Sequence, residues 1–207
     1  MKSINGIIWK ENNIPERLIL KHKQDFNISY LLSKVFIDKN YTGEEVYNSL
    51  YKNINSVIRY TNNDFKHALE LLLDNINRKK KILIFGDYDV DGYSSTYLLY
   101  DYFTNLNIVC NYYIPDRLID GYGPNKLLLK KLIDKDNYGL IIFVDCASNA
   151  IDEINYLESQ NINTIVIDHH QIQDQRKFKR TTIINPFKET MLKNSNYFCA
   201  TSLVFFF

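Results

Sequence analysis

The sequence predicts an α/β protein: a doubly wound, mainly parallel sheet preceded by a helical N-terminal segment. Three observations lead there. Up to about residue 80, apolar residues recur three or four apart, which is helical spacing. From Lys81 onward, short β-rich runs alternate with helical ones, as βαβ units require. At 207 residues and 45% hydrophobic, the chain can also bury one sizeable core with a small appended lobe. The expected division is a helical lead-in over 1–80 and an α/β domain over 81–207.

In chain order, "NISYLLSKVF", "GEEVYNSLY" and "DFKHALELLLDNINRKK" are the lead-in helices. The first strand is "KILIFG", and "GYSSTYLLYDYF" is the helix after it. "IVCNYYI" is the second strand, followed by "GPNKLLLKKLI" with Pro124 in a first-turn position. "LIIFVD" and then "AIDEINYLES" form the third pair, and "TIVIDHH" and "TTIIN" complete the strands. In such a sheet, ligands bind outside the carboxyl ends of the strands.

Composition narrows the function classes. With 25 basic and 24 acidic residues, the net charge is +1, so no global field draws the chain to a polyanion and any such site must be local. The cysteines Cys110, Cys146 and Cys199 form no C-x-x-C pair, and their odd number argues against a disulfide framework. A reducing cytoplasm is expected. No apolar run approaches the roughly 18 residues of a membrane span, and "MKSINGIIWKENN" lacks a signal-peptide core.

The chemistry concentrates in "ILIFGDYDVDGYSS", where Asp87, Asp89 and Asp91 alternate between an apolar strand and a glycine. Carboxylates this dense repel one another, so the fold must supply a cation or keep some of them protonated. A calcium-binding loop needs flanking helices and a glutamate at its twelfth position; here a strand precedes, and that position is Leu98. An aspartyl-phosphate phosphatase motif remains a candidate on this stretch alone.

Other strand ends favour a metal. "LIIFVDCAS" ends in Asp145, and "TIVIDHHQ" ends in Asp168, His169 and His170. Acid or imidazole groups therefore converge on one sheet edge from three strands, which chance capping by aspartate explains poorly. Oxygen donors with imidazole suit Mn²⁺ or Mg²⁺, and two ions are expected. Phosphoester hydrolysis is the leading chemistry.

"GDYDVDG", then "VD", then "DHH" at successive strand ends resembles the DHH phosphoesterases. The G-D-Y-D-x-D-G form, the "IPDRLIDGYG" loop and the helical lead-in resemble the RecJ-type branch, single-strand-specific 5′-to-3′ DNA exonucleases. The resemblance implies Asp87, Asp89, Asp145 and His169 as metal ligands. It gives His170 a polar catalytic role, facing the scissile phosphate or supporting the site, and Asp91 and Asp168 a place behind the ligands, orienting them or capping a turn. Single-stranded DNA is the implied partner, with replication or repair proteins as further partners and a monomeric chain.

Alternatives within the resemblance are hydrolysis of short oligonucleotides, cyclic dinucleotides or pyrophosphate, and a non-catalytic DNA-binding or scaffold role. Two departures stand out. Ala147 occupies a position where the family usually has glycine, awkward if the backbone needs positive φ. The family's further metal-ligand aspartate and second domain are missing, and "NYFCATSLVFFF" reads as a helix interrupted midway, so the chain is expected to be the N-terminal, C-terminally incomplete part of a longer protein.

Arg117, on the loop after the second strand, is placed to grip a phosphate, with Gly121 and Gly123 allowing close backbone approach. "QRKFKR" and "RKKK" read as solvated charged faces, Cys146 as a buried core thiol, and His22 and His67 as structural or surface residues.

Overall fold

The structure, a computed structural model, describes residues 6, 8, 12–51, 63–173, 178–188 and 198–207. It divides into two compact units, 1–59 and 60–207. In the first, three short helices follow their local caps: α1 (Glu16–Phe26), α2 (Tyr30–Asp38) and α3 (Gly43–Tyr51). Asn27 at φ +50 ends α1, and the Ser29 hydroxyl accepts from the Leu32 amide to start α2. Thr42 and Glu45 form a reciprocal capping box at α3, the Thr42 amide donating to Glu45 Oε2 at 2.7 Å.

The second unit holds α4 (Asn63–Asn77), β1 (Lys81–Phe85), α5 (Val90–Asn105), β2 (Cys110–Tyr113), α6 (Lys126–Lys135), β3 (Tyr138–Val144), α7 (Ile151–Ser159), β4 (Asn163–Ile167), β5 (Thr181–Ile184) and α8 (Ala200–Phe206). The five strands are all parallel in the order β2-β1-β3-β4-β5, the doubly wound arrangement the sequence predicts. Helix α4, expected in the lead-in, packs in this unit: its Phe65, Ala68 and Leu72 join the strands in one apolar cluster.

Strand alternation builds two cores. Ile82 and Ile84 of β1 face the cluster containing α4, α5 (Leu99, Phe103) and α8 (Leu203, Val204). Leu83 and Phe85 face the opposite cluster, with α6 (Leu128, Leu129) and α7 (Ile154, Leu157). Burial on both faces explains why these strands read as unbroken apolar runs.

The connectivity reverses direction between β1 and β3, the point at which sheets of this kind bind their ligands. Register levels the carboxyl ends: Phe85 lies opposite Phe143, Val144 opposite Ile167, and Ile167 opposite Ile184. The ladder continues past the strands, the Asp145 amide donating to Ile167 O and the Asp168 amide to Ile184 O. Asp87, Asp145, Asp168 and Asn185 consequently stand in one row along the edge.

Candidate metal centre

Two glycines shape the loop that carries the aspartates. A Cβ at Gly86 would lie 2.0 Å from Thr96 Oγ1, and one at Gly92 would lie 2.4 Å from the carbonyl oxygen of Asp87. The chain can thus turn directly from β1 into α5. Asp89 caps that helix, its Oδ1 accepting from the amides of Asp91 (2.9 Å) and Gly92 (3.0 Å). The capping residue is also a candidate ligand, since ligand atoms of Asp87, Asp89 and Asp145 all lie within 4.8 Å of one another.

Asp145, 1% exposed, follows β3 on left-handed backbone at φ +62, and Ala147 follows at φ +78. The Ala147 backbone therefore adopts the conformation that the sequence flagged as awkward for a residue other than glycine. Among the described residues no hydrogen bond reaches either Asp145 oxygen or Asp87 Oδ1, although all three atoms are buried. Burial, with the neighbouring charges of Asp91 and Asp89, pushes the Asp145 carboxyl up to about 8. Asp87 is raised too, chiefly by burial.

The β4 end supplies the imidazoles. His169 Nε2 lies 3.2 Å from Asp145 Oδ1 and 3.5 Å from Asp91 Oδ2. His170 turns the other way: its Nδ1 is 2.7 Å from Asp168 Oδ1, and its Nε2 is 3.4 Å from the Tyr122 hydroxyl. The bond to Asp168 raises His170 to about 9. Burial pushes Asp168 up, but bonds from His170 and Ser148 outweigh it and hold the carboxyl below its ordinary value. Asp145, His169 and His170 form a second group whose ligand atoms lie within 4.8 Å.

Asp168 orders this corner by accepting from the amides of His169 (2.7 Å), His170 (3.1 Å) and Ser148 (3.0 Å). Asn185, fully buried after β5, donates to His170 O and to Ser148 Oγ. Sequence reasoning did not single out Asn185; the signal was available, because it ends the run "TTIIN" as Asp145 ends "LIIFVD".

Arg117 stands over the Tyr88 ring with its guanidinium carbon 5.4 Å from the ring centre. Tyr88 in turn meets the edge of Tyr122 at 6.3 Å. Gly121 and Gly123 have φ of +81 and +69 with nothing within 4 Å of a Cβ, so the loop needs them for its turn. Asp120 braces the loop by accepting from Tyr113 Oη (2.8 Å) and the Asp116 amide (2.9 Å).

Other residues stay out of the site. Cys146 is buried with its thiol pushed well above the ordinary value by burial, which suits a core thiol and not a nucleophile. His67 bonds Thr182, and His22 packs at a tilt against Phe26 with ring centres 4.6 Å apart. Part of "QRKFKR" lies outside the described residues.

The donor set fits hard divalent cations: buried carboxylate oxygens that receive no hydrogen bond among the described residues, and imidazole nitrogens beside them. Uncompensated buried anions are costly, and a cation removes that cost.

Comparison with known proteins gives the same picture. A family model described as "DHH family, N-terminal domain" matches residues 81–207. The single-stranded-DNA-specific exonuclease RecJ of Bacillus subtilis (strain 168) is 33% identical over 131 residues, 60% of this chain and 16% of the relative. A crystal structure of exonuclease RecJ bound to manganese is 24% identical, covers 71% of this chain and 37% of its own, and gives a TM-score of 0.63. Another, RecJ in complex with Mn²⁺ from Thermus thermophilus, is 16% identical, covers 93% of this chain and 26% of its own, and gives a TM-score of 0.64. The chain spans 16–20% of the length of the first curated relatives it matches.

Proposed function

The chain belongs to the DHH family, and on that footing we propose that it is the metal-holding part of a nuclease that cleaves phosphodiesters of single-stranded DNA from the 5′ end, in DNA repair or recombination. The observation that carries this reading is the pair of buried carboxylates, Asp87 and Asp145, at the switch point of the sheet, with oxygens that receive no hydrogen bond among the described residues. Asp87, Asp89, Asp145 and His169 would hold one or two Mn²⁺ or Mg²⁺ ions. Bound there, the cations would neutralise phosphate charge and acidify an attacking water.

The chain's own residues have distinct tasks. His170, kept protonated at neutral pH by Asp168, presents an N–H to a non-bridging phosphate oxygen. Arg117, steadied over Tyr88, grips a second phosphate, while Gly121 and Gly123 shape the loop that carries it. Asp168 and Asn185 hold the histidine backbone so that neither ring drifts.

Single-stranded DNA as substrate and the 5′ polarity are supported by likeness to relatives named for the first property and by the motif pattern for the second. Cytoplasmic placement is in keeping with three free cysteines, and no described helix is long and apolar enough to cross a membrane. A monomer that meets replication or repair proteins completes the proposal.

The test is Mn²⁺-dependent release of nucleotides from 5′-labelled and 3′-labelled single-stranded DNA, with Asp145→Ala alongside. Release from the 5′ end that the variant loses is the expected result. No release by the 207-residue chain would remove the claim that it acts by itself.

A further inference from the structure

A cleft of about 240 Å³ to which the proposed chemistry gives no task lies between the loop carrying Tyr122 and the turn 147–150, with His170 and Asp168 on its border. One wall is fixed before any ligand arrives. The Ser148 amide donates to Asp168 Oδ2 at 3.0 Å, and the Ala150 amide closes the turn by donating to Ala147 O at 3.0 Å. Asn149 is held twice, its Nδ2 donating to Gln171 O and its Oδ1 accepting from the Gln173 amide, both at 2.8 Å. The other wall is Tyr122, followed by Gly123 and Pro124. The Tyr122 ring stands 6.1 Å from the His170 ring at 74°, and its hydroxyl lies 3.4 Å from His170 Nε2.

The cleft is smaller than pockets that enclose a whole drug-sized ligand, and it suits one planar ring. Two polar groups in its lining have capacity left. The hydroxyl of Ser148, a residue 3% exposed, accepts from Asn185 Nδ2 at 2.8 Å; that is its one bond among the described residues, so its own proton remains to be donated. Glu153, half-buried in the first turn of α7, makes no hydrogen bond or ion pair among the described residues, so its carboxylate is open to accept. The fitting ring therefore offers an acceptor to the first group and a donor to the second.

We propose that this cleft is a nucleobase pocket: it takes the base of the nucleotide whose phosphate sits at His170, stacks it on Tyr122 and reads its amino group with Glu153, favouring adenine, cytosine and guanine over thymine. The inference rests on the phosphate position in the proposed function above. His170 belongs to both places, through Nε2 to the phosphate and through its ring to the cleft, and one sugar joins a phosphate to its base. Adenine, cytosine and guanine each carry an exocyclic amino group that can donate to a carboxylate. Thymine carries none, and its single ring N–H is flanked by two carbonyl oxygens that a carboxylate repels. Stacking serves every base alike, so Tyr122 supplies affinity and Glu153 supplies choice.

The experiment is a titration of the full chain, saturated with Mg²⁺, with dAMP, dCMP, dGMP, dTMP and, as the base-free control, inorganic phosphate, read from the imidazole resonances of His170. The first three nucleotides are expected to bind about tenfold more tightly than either inorganic phosphate or dTMP. Glu153→Gln, whose amide donates as well as accepts, should remove the preference against dTMP. Tyr122→Leu should weaken the nucleotides about tenfold relative to inorganic phosphate. Equal affinity for the four nucleotides overturns the proposal, as does a preference that Glu153→Gln leaves untouched; in both cases inorganic phosphate still shifts His170 and the phosphate position stands. Absence of any shift with inorganic phosphate and with every nucleotide overturns the phosphate position itself, and the pocket with it.

Discussion

Ala147 is a residue in a conformation that suits a different one. At φ +78 it bears a left-handed strain of about 1–2 kcal/mol. Replacing it by glycine relieves that strain, but loses a buried methyl worth about 0.8 kcal/mol and adds roughly 0.5–1 kcal/mol of unfolded-chain freedom. The opposing effects nearly cancel. Ala147→Gly is expected to change stability by less than about 1 kcal/mol, whereas Ala147→Val, β-branched at positive φ, should lose about 2 kcal/mol or more, as measured by urea unfolding. The titrating residues make a second prediction. In metal-free protein the Asp145 carboxyl, raised from 3.8 to about 8, contributes stability that is full below pH 4 and is lost as the pH climbs to about 8. His170, raised from 6.5 to about 9, contributes stability present below pH 6.5 and lost through pH 9. The contribution of Asp168, whose carboxyl is lowered, is lost only in acid and stays constant over this range. Thermal unfolding in a chelator should therefore occur at steadily lower temperature from about pH 6 to about pH 9, and Asp145→Asn should make that slope shallower.

Among the elements, the β1-to-α5 turn matters most to the centre, because it carries two of its carboxylates. Gly92→Ala forces a Cβ against the Asp87 backbone at 2.4 Å, so α5 or Asp87 must shift. A loss of about 2 kcal/mol in stability is expected, accompanied by weakened Mn²⁺ binding in the same variant. The strands were legible because each is buried on both faces and ends in a polar residue: "LIIFVD" and "TIVIDHH" signal both the element and its edge. The edge strand β2 is shorter than the run "IVCNYYI", consistent with its partly solvated positions. Helix α1 escaped notice because charged and polar residues dominate "ERLILKHKQDF" and Ile19 is its one buried residue. A hydrogen bond from the Thr201 hydroxyl to Asp91 could not be read either; it joins residues 110 apart through packing of α8 on α5. Asp89 shows a different limit, since an aspartate before a helix signals a cap and a ligand alike, and here its geometry serves the first and permits the second.

For the molecule as a whole, the sheet unit 60–207 concentrates acid at one edge while the chain carries almost no net charge. Local repulsion at that edge opposes folding until a cation arrives. Mn²⁺ at about a hundredfold excess over its Kd should accordingly stabilise the protein by about 2.7 kcal/mol, visible as a rise in unfolding temperature that a chelator reverses. Among the described residues, the carboxylates and imidazoles of the candidate centre all come from 60–207. The most direct measurement is anomalous diffraction at the manganese edge from crystals of the chain grown with Mn²⁺. The expected result is anomalous density bounded by Asp87, Asp89, Asp145 and His169. Density elsewhere with this cluster empty, in crystals that hold manganese, would contradict the metal centre described above.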